Sequence, residues 1–322
     1  SSFISITNAQ SFEVYADNNL IKVNEQNDNP LDLGLSTYKF SRITYTGKPI
    51  SINIKVTDFE FKENDWSISP KRYKIEGTKS GNSLSFSIDR LGYIVVIFRQ
   101  NQDFTKRIVL LIEKPDQIPG NIVDIADTYG VDNSGHKNET KKIQKALDEI
   151  SGSGKVLYFP PGTYKTFMLK FKSNSHIHLD KNARILADPT SLSPYISFEK
   201  SGLESFILIK DVENLEISGL GIFDGNGTEI LSKYDDELKT IAQNQHTGVR
   251  LLLIYRSQNI KFNGVLLKDS VRWNTHVLQS NNVSFNRCKL LNNPTESDLL
   301  GSLDGWDPDS SKNILIENSF GW

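Results

Sequence analysis

The chain contains one cysteine, Cys288, in 322 residues. No intrachain disulfide can form, and cysteine usage gives no sign of a redox compartment. No run approaches the roughly 18 apolar residues that a membrane-crossing helix needs. No basic stretch followed by an apolar core opens the sequence, so it reads as a cytosolic protein or as a mature form whose export signal has been removed. No charge sign dominates either. The 37 basic and 39 acidic residues are thoroughly mixed and leave a net charge of -2. That excludes the electrostatic footprint of a nucleic-acid or anionic-membrane binder. The rest of the composition, 37% hydrophobic and 24% charged, is that of an ordinary soluble globular protein. The length allows two domains with sizeable cores.

What the chain does have is strand pattern. Residues 12–23, 50–56, 83–89, 93–98 and 107–113 are short runs that alternate or are rich in Val, Ile and Phe. Turn formers such as Asp17-Asn18-Asn19, Gly47-Lys48-Pro49 and Gly81-Asn82 separate them. This spacing predicts an antiparallel β-sandwich. No cluster of His, Cys or carboxylates marks a site in it. The reading is an accessory module over residues 1–118, with Trp66 and Tyr73 as the aromatics that could stack on a sugar. The segment 114–121 carries two prolines and a glycine among polar residues. It cannot continue a central strand and marks the seam.

Beyond the seam, residues 139–150 form the one convincing helix. Ile143, Ala146, Leu147 and Ile150 fall on one stripe, Asn138 serves as N-cap, and Ser151-Gly152-Ser153-Gly154 ends it. The remainder of the chain repeats. Four segments share one template, an asparagine followed by apolar residues at positions 2, 4, 7 and 9. They start at Asn214, Asn259, Asn282 and Asn313, spaced 45, 23 and 31 residues apart. Residues 174–186 look like an earlier, looser copy. A spacing of 23 suits one coil of a parallel β-solenoid. The 45 holds either two coils or one coil with a loop, and the 31 contains a loop. Asparagines at one turn of successive coils can stack and satisfy one another's amides. Cys288 takes the inward position that Leu220 and Val265 take, so it reads as a buried core thiol. The amphipathic helix would cap the open first coil.

The densest chemistry lies in residues 302–319, where Asp304, Asp307 and Asp309 precede the last template copy. Clustered carboxylates at the edge of a strand array suit sugar cleavage. Inversion at a glycosidic bond needs a protonated carboxyl and an ionised one roughly 6.5–9.5 Å apart, and neighbouring coils lie about 4.8 Å apart. Asp304 is the first catalytic candidate, with Asp307 and then Asp309 as the candidate acid. Asp307 alternatively orders the turn, since alternation over three residues would send the two to opposite faces unless Pro308 bends the chain. His276 and Trp273 in RWNTH are candidate substrate contacts, or core. Arg250 and Arg272 could bind a uronate carboxylate through paired hydrogen bonds, or be structural. His176 and His178 are two residues apart, with no third ligand nearby, so no metal site is expected. Asp224 in FDGNG reads as a turn residue. The polar segment 228–248 reads as a loop walling a cleft.

Residues 143–164, 173–186, 217–227, 250–276 and 302–319 resemble the polygalacturonase family of pectin-cleaving glycoside hydrolases, which are right-handed parallel β-helices. The resemblance runs from about Ile122 to Trp322. The preceding sandwich is similar to the accessory domain of some bacterial members and of dextranase-like relatives. The resemblance implies an all-β protein with a sandwich at 1–118 and a right-handed parallel β-helix at 119–322, capped by one α-helix. It implies an inverting, cofactor-free hydrolase, secreted, periplasmic or cell-surface, monomeric, with a polysaccharide substrate and neither nucleic-acid nor membrane partners. Family members use an aspartate in an Asn-Thr-Asp motif and an adjacent aspartate pair one coil on. Here the first motif reads Ser302-Leu303-Asp304, so Asp304 would help activate water. The pair, and the family's His and Arg/Lys motifs, would follow Trp322, so the helix is expected to be incomplete and the chain by itself poorly active. Dextranase-like or carrageenase-like hydrolysis and non-catalytic glycan binding are the alternatives. A polysaccharide lyase would need a calcium cluster and an Arg or Lys base, and no such cluster is seen.

Overall fold

Alternating apolar residues in the first hundred positions bury one side of each strand and so build two facing sheets. The computed structural model describes residues 11–25, 38–99, 105–196, 202–245, 249–292 and 303–321. They fall into two units, Ser1–Pro115 and Asp116–Trp322. In the first unit one sheet runs Asn19–Ile21, Phe12–Ala16, Ile50–Val56, Ser83–Ile88, Thr78–Ser80. The other runs Val23–Glu25, Tyr38–Thr44, Thr105–Glu113, Gly92–Arg99, Trp66–Ser69. The expected sandwich is there with one correction: Thr105–Glu113 pairs in parallel with Tyr38–Thr44, so the unit is not wholly antiparallel. Its core is Ile52, Ile54, Leu84, Val96, Phe98, Ile108 and Leu110. Trp66 packs against that core, and a side chain at Gly77 would meet its ring at 2.8 Å. Tyr73 has the guanidinium groups of Arg72 and Arg90 5.4 Å from its ring.

The second unit is a parallel β-helix of three sheets. One sheet stacks Ile122–Asp124, Val156–Phe159, Ser175–Leu179, Glu213–Gly219, Gln258–Asn263, Asn281–Asn286 and Lys312–Glu317. A second stacks Ser134–Asn138, Gly162–Thr166, Ala183–Ala187, Ile222–Asp224, Leu266–Lys268, Lys289–Leu291 and Phe320–Gly321. The third stacks Leu169–Lys170, Ser205–Lys210, Arg250–Tyr255, Thr275–Leu278 and Trp306–Asp309. Inward residues stack in two columns along the axis, Ile177, Ile217, Phe262 and Phe285 in one and Leu215, Ile260 and Val283 in the other. Cys288 is fully buried there, as its place in the template requires.

The template asparagines form the expected ladder. Asn214 Nδ2 donates to Asn174 Oδ1 at 3.0 Å, Asn259 to Asn214 at 3.0 Å and Asn282 to Asn259 at 2.7 Å; Asn313 donates instead to Asn281 at 2.9 Å. All five template asparagines, from Asn174 to Asn313, have φ between 52° and 57°. Asparagine tolerates that left-handed backbone better than most residues. The next turn is equally tight: at Gly219, φ 98°, an added Cβ would come within 2.0 Å of Leu179 O.

The helix Thr140–Ile150 buries Ile143, Ala146, Leu147 and Ile150; its N-cap position is Glu139 rather than the expected Asn138, whose Oδ1 still accepts from Thr140 N at 3.2 Å. The segment expected as a cleft loop is instead the helix Gly227–Gln245, kinked at Tyr234. Its many polar residues hide three buried apolar ones, Ile230, Leu231 and Leu238. Lys233–Glu229 and Lys239–Asp235 ion pairs one turn apart support its outer side. The spacing of 45 is therefore one coil carrying a helical insertion, since Glu213–Gly219 pairs directly with Gln258–Asn263.

Candidate active site

The third sheet places the candidate residues. His276 lies opposite Leu253 on one side and opposite Asp307 on the other. Trp306 turns inward, its ring 4.8 Å from that of Phe285 in the core. Alternation then sends Asp307 and Asp309 outward, on the same face as His276. Strict alternation would put Asp304 on the opposite face from Asp307, but the strand begins only at Trp306, so Asp304 escapes it. Its side chain is exposed, and its charge reaches Asp307.

Asp307 is the most perturbed carboxyl of the group. Burial, and then repulsion from Asp304, push it up to about 6, against the attraction of Arg250. Its Oδ2 is buried and has no hydrogen-bond partner among the described residues. His276 is only 6% exposed. Its Nε2 lies 3.6 Å from Asp309 Oδ2 and its Nδ1 has no described partner. Burial and then Arg250 hold the imidazole below its usual range, with Asp309 opposing.

Trp273 is half-buried and shares its ring with two cations, Arg250 at 5.1 Å and Arg272 at 5.4 Å, and with the edge of His276 at 5.0 Å. Arg250 is anchored through Nη1 to Gly202 O at 2.9 Å, while its Nε and the Nε and Nη1 of Arg272 are buried without described partners. Burial pulls Arg250 down to about 10; Glu204 and Asp307 oppose the pull and Arg272 adds to it. Burial also lowers Arg272, against Asp304. The six residues singled out in the sequence thus converge on one region. Arg250, anchored and 5% exposed, is more of a structural group than the sequence suggests.

Sequence reasoning missed two members of this region. Glu204 is buried beside Arg250, and Asn274, fully buried, donates its amide to Asp304 O at 3.1 Å. The available signal for Asn274 was its place directly before the strand Thr275–Leu278 and two residues from His276. Asp309, an acid candidate in the sequence, instead meets His276. Asp224 exceeds the turn role expected of it. It is fully buried, accepts from Asn226 N, and is ion-paired with Arg184 at 2.6 Å and Lys268 at 3.3 Å.

Elsewhere on the helix, among the described residues, a groove of about 370 Å³ is bounded by Asn174, His176, Asn214, Glu216, Asn259 and Lys261. It holds no carboxylate pair, and the acid cluster is the better candidate on chemical grounds. His176 Nε2 and His178 Nδ1 both meet Ser218 Oγ, at 2.7 and 2.9 Å. Among the described residues no three His, Cys, Asp or Glu side chains are spaced to hold a metal ion. No helix among them is long and apolar enough to cross a membrane.

Residues 162–320 match the family Glycosyl hydrolases family 28, and residues 122–186 match the rhamnogalacturonase A/epimerase, pectate lyase-like family. Both matches fall within the unit Asp116–Trp322 that forms the β-helix. The polygalacturonase of Erwinia carotovora ssp. carotovora has the same fold, with a TM-score of 0.50 at 21% identity over 65% of this chain and 58% of its own. The family 28 exopolygalacturonase of Yersinia enterocolitica is similar over 86% of this chain and 61% of its own, at 19% identity and a TM-score of 0.49. The iota-carrageenase of Zobellia galactanivorans is 22% identical over 216 residues, 53% of this chain. The match spans 43% of that carrageenase.

Proposed function

We propose that this family 28-type chain is a glycoside hydrolase that cuts a polysaccharide by inversion at a site built on Asp304 and Asp307, with no cofactor. The observation that carries the reading is the asymmetry of the two carboxyls. Asp307 is held up to about 6, so near neutral pH an appreciable fraction keeps its proton for the leaving oxygen. Asp304, exposed to solvent, is placed to activate water. Carboxyls driven apart in proton affinity by their surroundings are what acid and base roles at one bond require. This gives Asp307 the acid role that the family pattern leaves to a later aspartate pair.

The substrate is a polyanionic glycan, with polygalacturonan as the first choice. Arg272, part-exposed beside Trp273, carries a guanidinium fork that suits a carboxylate. A sulfate ester offers the same acceptors, so a carrageenan-type galactan is the second reading, favoured by the similarity to the iota-carrageenase. The protein acts as a secreted or surface-bound monomer whose partner is the polysaccharide.

Incubation of the chain with polygalacturonate and, separately, with iota-carrageenan decides between these readings. Reducing ends should appear on one of them, with the first product in the inverted anomeric form by proton NMR. Tight binding to a polymer with no cleavage would instead support a glycan-binding solenoid, and a retained anomer would remove the inverting mechanism.

A further inference from the structure

We infer that Asn274 is a positioning residue that fixes the backbone of residues 303–305 and thereby sets where the Asp304 carboxylate stands. The inference rests on the proposed role of Asp304. Asn274 is fully buried. Its Nδ2 donates to Asp304 O at 3.1 Å and, at 3.4 Å, to Leu303 O. Its backbone N–H also reaches Asp304 O, at 2.9 Å, and the next residue continues the grip, with Thr275 N and Oγ1 3.2 and 2.8 Å from Gly305 O. Three successive carbonyls are therefore held by two successive residues of the neighbouring coil.

The segment so held would otherwise have little to fix it. Residues 303 and 304 belong to no strand, and Asp304 is followed by a glycine whose added Cβ would touch only Leu290, at 3.4 Å. Glycine there leaves the backbone many conformations to choose from. No described residue bonds the Asp304 carboxylate itself, so its position is inherited from the main chain.

The amide also shows which way it must face. Leu303 O and Asp304 O are acceptors, so the nitrogen turns to them and Oδ1 is left in the interior with no described partner. A buried carbonyl oxygen without a hydrogen bond costs free energy that an apolar residue of similar size would avoid. The fold keeps this expense where the carboxylate-bearing segment must be held, and unsatisfied groups of this kind concentrate at functional sites.

Two measurements on the full chain test the inference. The first is hydrogen–deuterium exchange in Asn274→Ala and Thr275→Val. Peptides covering residues 303–309 should exchange roughly tenfold faster or more in either variant, while peptides covering residues 213–219 and 258–263 stay at the wild-type rate. Unchanged exchange at 303–309 overturns the clamp.

The second is a kinetic cycle on the polymer that the protein cleaves. Asn274→Ala should lower kcat roughly 10- to 100-fold with little change in KM. In an Asp304→Asn background the same change should cost nothing more, because its effect passes through Asp304. Additive losses would make Asn274 a purely structural residue and sink the inference while leaving the hydrolase reading intact. Full activity in Asp304→Asn would remove the catalytic role of Asp304 and with it the positioning role.

Discussion

His276 and Asp307 stand opposite each other on adjacent parallel strands, and each carries a buried polar atom without a described partner, Nδ1 on one and Oδ2 on the other. Sheet register alone brings them together, although 31 residues separate them in the chain. Burial moves both the same way chemically, toward the neutral form: the imidazole is lowered and the carboxyl raised.

The Asp307 carboxyl should make the protein less stable as pH rises. Its native value of about 6 lies above the ordinary 3.8, so between those values the folded state binds more protons than the unfolded one. Stability then falls as pH increases through that window and stays reduced above it. Asp307→Asn, which cannot ionise, should be about 1–2 kcal/mol more stable than wild type at pH 7.5 and no more stable at pH 4. Urea midpoints at the two pH values measure this. A wild type more stable than the variant at pH 7.5 would contradict it.

Asp304→Asn should separate activity from stability. The fold uses the backbone carbonyl of Asp304 rather than its exposed carboxylate. We expect kcat to fall by roughly 100-fold or more and the melting temperature to shift by no more than about 2 °C. A large loss of melting temperature would show that the carboxylate is structural.

The asparagine ladder should weaken most in its middle. Asn259 donates to Asn214 and accepts from Asn282 at φ 57°. Asn259→Ala loses both bonds and puts in the left-handed region a residue that tolerates it less well than asparagine, at a cost of about 2–3 kcal/mol. Asn313, at φ 54° but donating to Asn281 beside the ladder, should cost about 1–2 kcal/mol on the same change. Equal urea midpoints for the two variants would deny the ladder its cooperative role.

Lys268→Met should be strongly destabilising. Burial pushes Asp224 upward, yet Lys268 and Arg184 outweigh it and hold the carboxyl below its usual range. Removing Lys268 leaves the buried Asp224 with Arg184 alone and costs about 3 kcal/mol, the lower end for breaking a buried pair. The depressed carboxyl is also a source of acid lability: its stabilisation is present above the ordinary carboxylate range and is lost as pH falls through the lower native value. Calorimetry on the variant at pH 7 gives the first quantity, and wild-type melting below pH 4 gives the second.

Cys288 should resist thiol reagents in the folded protein. Burial pushes its thiol up to about 12, and the thiolate is the reactive form. One equivalent should react after unfolding in guanidinium, and essentially none before at pH 8. Rapid labelling of native protein would mean that the coil around Cys288 opens.

The template itself contained the coil. An asparagine followed by apolar residues at fixed offsets dictates strand, inward face and left-handed turn together, so the ladder, the buried Cys288 and the capping helix were all legible from local pattern. The helix Gly227–Gln245 was not. Its apolar residues, Ile230, Leu231 and Leu238, are too few among polar ones for a one-dimensional pattern to separate a half-buried helix from a loop. The parallel pairing of Thr105–Glu113 with Tyr38–Thr44 was hidden for a related reason, because strand direction is a property of the partner and not of the strand.

The site divides in the same way. Residue type and spacing determined which side chains could do acid and anion chemistry: Asp304, Asp307, His276, Trp273, Arg250 and Arg272. Tertiary structure alone decided that Asp304 shares a region with Asp307, that burial raises one of these carboxyls, and that Asn274, on the preceding coil, grips the backbone at Leu303 and Asp304. Proton affinity and position depend on what lies across the coil, at sequence distances of 23 to 45 residues, and no local pattern carries that information.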